Sequence, residues 1–230
     1  MYSIVKEHTD FLLVNKDPGV SFHKEGDFPG LPSRLRADLG LAQLFPLHRL
    51  DKMTSGLLLF ARNKRTAQEL GAEFARGRVE KYYLALSDMR PKKKQGLVKG
   101  DMLRSRRGTW KLSRSLLNPA STRFVSLSLG DGFRLFLLRP LTGKTHQLRV
   151  ALKSIGAPAF GDSRYHPGQA AGNQPDRGYL HSFSLAFHLS GAYYHFISPP
   201  TQGLLFTAPG FVKMLPQLQE PWRLFAKQQE

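Results

Sequence analysis

Apolar positions come in short blocks, and turn residues separate them. Asp10-Phe11-Leu12-Leu13-Val14-Asn15-Lys16 reads as a short strand, closed by Asp17-Pro18-Gly19. Ser33 is placed to cap a short helix over 34–39, with Gly40 as its stop. The unbroken run Gly56–Ala61 reads as a buried strand. Asn63 then caps a helix whose apolar face is Ala67, Leu70 and Phe74, ended by Gly77. Val79–Leu86 returns as a strand. Thr122–Leu129 and Phe133–Leu138 read as a strand pair joined by Gly130-Asp131-Gly132. Thr145–Ile155 has the helical period, with Leu148, Leu152 and Ile155 inward and Gly156 as stop. Loops follow around Pro158, Gly161, Pro167, Gly168, Gly172 and Pro175, then strands over 180–189 and 193–197. Many strands, few helices and no regular βαβ alternation predict an α+β fold with a mixed, largely antiparallel sheet and flanking helices.

Composition changes this picture in two ways. The chain of 230 residues carries 34 Lys and Arg against 17 Asp and Glu, a formal charge of +17, so a polyanion is the expected partner. It has no Cys, which removes disulfides, thiolate zinc sites, iron–sulfur clusters and thiolate nucleophiles. Residues 90–114 concentrate the charge. Ten basic residues there face one acid, Asp101, for a net +9, and Trp110 lies among them. That segment reads as an exposed hairpin or loop, with Lys92, Lys93, Lys94, Arg106 and Arg107 placed to track phosphates. The longest clean apolar stretch, Leu57–Ala61, is far below the about 18 residues of a spanning helix. Residues 1–7 show no basic-then-apolar leader, which points to the cytosol and away from membranes.

Several chemistries fail on spacing. Gly143-Lys144-Thr145 has Leu138 where a phosphate-binding loop needs its first Gly. Gly130-x-Gly132 lacks the third Gly of a dinucleotide fingerprint, and no Gly-x-Ser-x-Gly elbow exists. The His residues form no metal-ligand spacing, so no metal and no cofactor are expected. What remains is two polar constellations. His48-Arg49-Leu50-Asp51-Lys52 places cations and a carboxylate in a turn before a strand. Lys144-Thr145-His146-Gln147-Leu148-Arg149 places more polar groups at a helix start, where backbone N–H groups favour anions. His146, Arg149 and Lys153 share one helix face. A lone Asp is usually a turn residue, and a lone Arg usually a solvated one. A carboxylate nucleophile, however, must stay ionised while shielded, and a buried Arg would hold its pKa down.

At these residues the sequence resembles the RluA-type pseudouridine synthases, which convert uridine in RNA to pseudouridine. The family pattern H-R-L-D-x-x-T-S-G-L-L-L-x-A is matched by His48–Ala61. The pattern R-P-x-T-G-[RK]-T-H-Q-[IL]-R-V is matched by Arg139–Val150, followed by Gly156-Ala157-Pro158 and Gly161-Asp162-Ser163-Arg164-Tyr165. Asn15–Val20 matches the opening N-K-P-x-G with Asp17 inserted, Lys81–Ala85 matches K-x-Y-x-A, and Leu180–Phe187 matches L-H-x-x-x-L-x-F. The resemblance covers about residues 10 to 210 and implies one catalytic domain over 1–230, with a basic insert at 90–114 and no S4-like accessory domain. Carried over, it makes Asp51 the catalytic carboxylate and Arg149 its partner. Tyr83 packs on the flipped uracil, Leu148 forms apolar wall, and Arg49 fills the gap in the RNA stack. Register favours Tyr83 over Tyr82, and alternation points Tyr82 to the other face. His48, Lys144 and His146 are expected beside the RNA.

The family reaction uses no cofactor. The expected substrate is an rRNA or tRNA stem-loop, and the expected state is a monomer. The alternatives are a non-catalytic RNA-binding or chaperone protein, a uridine C5-methyltransferase and a membrane-surface protein. The first has no need of Asp51, Tyr83 and Arg149 together. The second needs a thiolate, and the third a long amphipathic basic helix.

Overall fold

The computed structural model describes residues 1–168 and 175–226. Along these the chain forms β1 (Tyr2–Glu7), β2 (Phe11–Lys16), α1 (Leu31–Asp38), β3 (Phe45–Pro46), β4 (Ser55–Ala61), α2 (Lys64–Ala75) and β5 (Glu80–Ser87). It continues through β6 (Gln95–Gly100), β7 (Met102–Arg104), β8 (Trp110–Leu112), β9 (Ala120–Gly130), β10 (Phe133–Pro140) and α3 (Gln147–Ser154). The last elements are β11 (Leu180–Leu189), β12 (Ala192–Ile197), α4 (Pro209–Val212) and α5 (Arg223–Ala226). They group into two units, Met1–Lys81 with His181–Pro199, and Tyr82–Leu180 with the chain from Pro200 onward.

In the first unit β4 is buried at every position, which explains its unbroken apolar run. β2 pairs with it antiparallel, from Phe11 opposite Ala61 to Lys16 opposite Gly56. β11 pairs with it parallel, through His181 opposite Ser55 and Ser182 opposite Gly56. At Gly56 φ is +104° and a Cβ would lie 2.2 Å from the Ser182 carbonyl oxygen, so only glycine fits the crossing. Leu57 and Leu59 of β4 pack with Phe11, Leu13, Leu70, Leu185 and Phe187 into a core that α2 covers. Asn63 caps α2 as expected, its side chain accepting the Thr66 N–H at 2.9 Å. α1 starts earlier than predicted, after Gly30, and Ser33 lies inside its first turn. Pro32 fits that turn without losing a hydrogen bond, which displaces Ser33 from the cap. β1 was hidden from pattern reading because it is an exposed edge with no apolar alternation.

The second unit is an antiparallel sheet in the order β5-β10-β9-β6. β9 and β10 form the expected hairpin, with Asp131 and Gly132 both at positive φ. β7 and β8 pair apart from this sheet as a two-stranded ribbon. The basic stretch is therefore more than a loop. Residues 95–100 are an edge strand of the sheet, and 102–112 are the exposed hairpin. α4 and α5 pack on β9, burying Phe211 and Phe225. Within each unit the ladders are antiparallel apart from the parallel β4–β11 step, a mixed, largely antiparallel α+β architecture. Gly172, in the expected loop, lies outside the described residues.

Candidate active site

In the first unit the Asp51 turn is held by a buried lysine. Lys16 ends β2 and is fully buried. Its Nζ donates to the carbonyls of Asp17 at 2.9 Å, Val20 at 2.8 Å and Lys52 at 3.2 Å. An ammonium has three donors, and burying it is costly unless each is used. Gly19 N–H also donates to the Lys52 carbonyl, and Thr54 N–H to that of Asp51. The Asn-Lys-x-Pro-Gly loop is thereby clamped onto the turn that presents Asp51, which is half-buried. Arg49 is exposed and donates through Nη1 to His23 Nε2 at 3.3 Å. Lys52 pairs with Glu25 at 2.5 Å in solvent.

Two histidines on this scaffold are framework groups. The Leu59 N–H donates to His48 Nε2 at 3.1 Å, so Nδ1 carries the hydrogen. Burial, then the charge of Lys81, pushes the His48 imidazole down to about 3. The ring stacks on Phe74 at 5.2 Å and is uncharged at neutral pH. His181 joins β11 to the Thr-Ser-Gly stretch. Its Nε2 donates to the Ser198 carbonyl at 2.7 Å, leaving Nδ1 to accept from Ser55 Oγ at 2.7 Å.

In the second unit α3 and the loop before it are held by two buried networks. Gln147 uses its amide four ways. Oε1 accepts from Thr142 Oγ1 at 2.8 Å and Lys144 N–H at 2.9 Å, and Nε2 donates to the Ser121 carbonyl and to Thr122 Oγ1 at 3.0 Å each. This fixes the Thr142–His146 loop. His146 sits before α3 with φ of 58°, a left-handed conformation unusual for a residue with a Cβ. The helix therefore starts at Gln147, not Thr145. Lys144 Nζ donates to Asn118 Oδ1 at 2.7 Å.

Arg149 is buried rather than on a solvated face. Its Nε and Nη2 donate to the two oxygens of Asp162 at 2.7 Å each. Asp162 has no exposed surface, and its Oδ1 also accepts the N–H groups of Arg164 and Tyr165 at 3.0 and 3.2 Å. The guanidinium lies over the Tyr165 ring, 4.9 Å from its centroid. Leu148 is buried beside it on α3. Tyr83 is buried on β5 opposite Leu138. Tyr82 takes the other face, against Phe225 at 5.9 Å and Arg139 at 5.6 Å. That is the division expected from strand alternation.

The family profile of RNA pseudouridylate synthase matches residues 10–154. A Haemophilus influenzae protein named "Uncharacterized RNA pseudouridine synthase" is 44% identical over 90% of this chain and 91% of its own length. This chain belongs to the RNA pseudouridylate synthases, of the RluA type. The synthase is also 32% identical to the "Dual-specificity RNA pseudouridine synthase RluA" of Pasteurella multocida, over 86% of this chain and 92% of that one. Among solved structures, "Human RNA Pseudouridylate Synthase Domain Containing 1" superposes with a TM-score of 0.71 and 32% identity. It covers 87% of this chain and 84% of that one.

The synthase's basic segment is displayed in two places. Lys92, Lys93 and Lys94 are exposed in the approach to β6, and Arg106 and Arg107 are exposed at the tip of the β7–β8 ribbon. Trp110 is half-buried, its ring 5.6 Å from the Arg104 guanidinium. Asp101, the lone acid there, accepts the N–H groups of Leu117 at 3.1 Å and Asn118 at 2.9 Å. The Ser115 hydroxyl and then these N–H groups hold its carboxyl below the ordinary value. Four functional supports escaped sequence reasoning: Lys16, Asp162, Tyr165 and His181. Each lies in a matched motif, but a motif does not say which polar atom faces which. No cluster of three metal-ligating side chains occurs among the described residues, and no described helix is long and apolar enough to cross a membrane.

Proposed function

We propose that this synthase flips a uridine out of structured rRNA or tRNA and isomerises it with Asp51 as the catalytic carboxylate. The observation that carries the reading is the Asp51 turn. A half-buried carboxylate stands on a turn whose backbone is pinned by Lys16, with the exposed Arg49 two residues away. A base within a stem cannot be reached in place, so it must leave the stack at a cost of a few kcal/mol. Arg49 offsets part of that by stacking in the gap. Asp51 then either attacks C1′, adds at C6 or assists elimination to a glycal. In each route the C1′–N1 bond breaks, the uracil turns while held, C5 bonds to C1′, and any bond to Asp51 is broken again or any proton taken from C2′ is returned. The C5 proton leaves to solvent and N1 gains one, so the product is an isomer and nothing is consumed. Tyr83 supplies the aromatic wall and the hydroxyl for that C5 proton. By the family resemblance, Leu148 adds apolar wall and Arg149 is a further residue of the site.

The cations at 92–94 and 106–107 supply affinity without reading sequence, by releasing counterions from phosphates. The target class is tested by mapping pseudouridine in rRNA and tRNA from a strain lacking the gene. One or a few sites should lose the modification and regain it with the wild-type gene alone. A map unchanged in both RNA classes contradicts the target.

A further inference from the structure

The turn Gly161–Tyr165 touches three things that the reaction needs, and its role is not explained by holding Arg149 alone. Asp162 binds Arg149 through two hydrogen bonds and also receives the turn's own N–H groups, so arginine and turn are one body. The Tyr165 hydroxyl accepts the backbone N–H of Trp110 at 2.9 Å, at the last pair of the basic ribbon before its tip. The same hydroxyl shares a 2.8 Å hydrogen bond with His146 Nδ1, in the strained residue that starts α3. Arg164 reaches the tip itself, its Nη1 donating to the carbonyls of Arg107 at 3.4 Å and Gly108 at 3.2 Å. Gly108 itself is at a φ of +69°, a left-handed conformation that favours glycine at the ribbon tip. β8 itself packs against α3.

The ribbon cannot hold its own position. It has three residue pairs, Met102 with Leu112, Leu103 with Lys111 and Arg104 with Trp110. An isolated two-stranded ladder that short is at best marginally stable in water. Its base is tied through Asp101, which exchanges backbone hydrogen bonds with Ser113 and Ser115, while the polar anchors nearest its tip come from one turn. That turn is also the seat of Arg149.

We propose that Gly161–Tyr165 is a strut that couples RNA engagement by the Arg106–Arg107 ribbon to the placement of Arg149, with Tyr165 as its positioning residue. This rests on the reading of Asp51 and Arg149 given above. Phosphates gripping the ribbon tip load Arg164 and Trp110, and the strut passes that order to Asp162, Arg149 and His146. The ribbon then contributes to the rate as well as to affinity. Tyr165→Phe isolates the effect, because it keeps the ring beneath the Arg149 guanidinium and deletes only the hydroxyl.

The test is a double-mutant cycle with Arg106→Ala/Arg107→Ala as the ribbon variant. The readouts are single-turnover tritium release from [5-³H]uridine-labelled total RNA of a strain lacking the gene, and filter binding of the same RNA. In the wild-type background the ribbon variant should weaken binding and also slow the saturated rate about tenfold. In the Tyr165→Phe background it should still weaken binding but change that rate by less than about twofold. Equal losses in both backgrounds, or a ribbon variant that alters binding alone, overturn the strut. Arg164→Ala, an exposed change, repeats the cycle should Tyr165→Phe fail to fold by circular dichroism, with the same outcomes deciding. Asp51→Asn is run beside them. Additive losses with Asp51→Asn inactive reject only the strut, whereas full activity in Asp51→Asn rejects the reading of the site and the strut with it.

Discussion

The Asp51 turn and the Gly161–Tyr165 turn are each locked by a buried cation, yet by different physics. Under Asp51 the cation is Lys16, and its ammonium is received by three backbone carbonyls. Behind Arg149 the anchor is a full charge, the unexposed Asp162 carboxylate. A lysine is a compact point charge with rotatable donors and suits scattered carbonyls, while the planar guanidinium suits a carboxylate held edge to edge. The consequences differ as well. Lys52, which supplies one of the Lys16 acceptors, is exposed, and Asp17 and Val20, which supply the others, are half-buried, so water can reach that loop if the lysine is lost. Nothing comparable can reach Asp162. The first turn is thus adjustable and the second is all-or-none.

The largest effect should come from Asp162→Asn, which fits the space but strands the Arg149 charge in the interior. A stability loss of about 3–5 kcal/mol, read by urea denaturation, and loss of turnover are expected. Less than about 1 kcal/mol would mean that the arginine is solvated and the contrast is void. Lys16→Met should cost less, about 1–3 kcal/mol, because its carbonyls can take water instead. Its signature is local, with faster amide exchange at Gly19 and Thr54, whose N–H groups donate to the Lys52 and Asp51 carbonyls. Equal costs for Lys16→Met and Asp162→Asn would erase the distinction.

The smallest effect concerns His48, next to the Asp51 turn. Its imidazole is held at about 3 in the fold against an ordinary 6.5. Below 6.5 the unfolded chain takes a proton there that the folded chain refuses, so this contribution is present above 6.5 and is lost as pH falls toward 3. His48→Gln keeps an acceptor for the Leu59 N–H but cannot titrate. Between about pH 7.5 and about pH 5 the wild type should lose about 1–2 kcal/mol more stability than His48→Gln. Identical losses would show a solvated, titrating imidazole instead.

Much of this arrangement is legible in the sequence, and what is not has a physical cause. β2, β4, α2 and the β9–β10 hairpin follow from apolar runs, an Asn cap and a Gly-Asp-Gly turn, all local signals. The positions of Asp51, Tyr83 and Arg149 follow from motifs. The pairing of Arg149 with Asp162 does not, although both residues stand in matched motifs, because a folded contact across 13 residues has no periodicity to betray it. The length of α3 was misjudged because nothing in the residues Thr145-His146 announces a left-handed backbone. The strand at 95–100 is obscured by Lys99 and the lysines just before it, which mask the alternation of Val98 and Gly100 toward the interior. His48 is the clearest case, since composition counts it beside the cations of its turn while its surroundings keep it neutral.

The most direct test of the central claim compares wild type and Asp51→Asn for tritium release from [5-³H]uridine-labelled RNA of a strain lacking the gene, with binding of that RNA measured on both. The account predicts release by the wild type alone, with binding by Asp51→Asn within a few-fold, because shape and cations survive the change. Release by Asp51→Asn at the wild-type rate would contradict it.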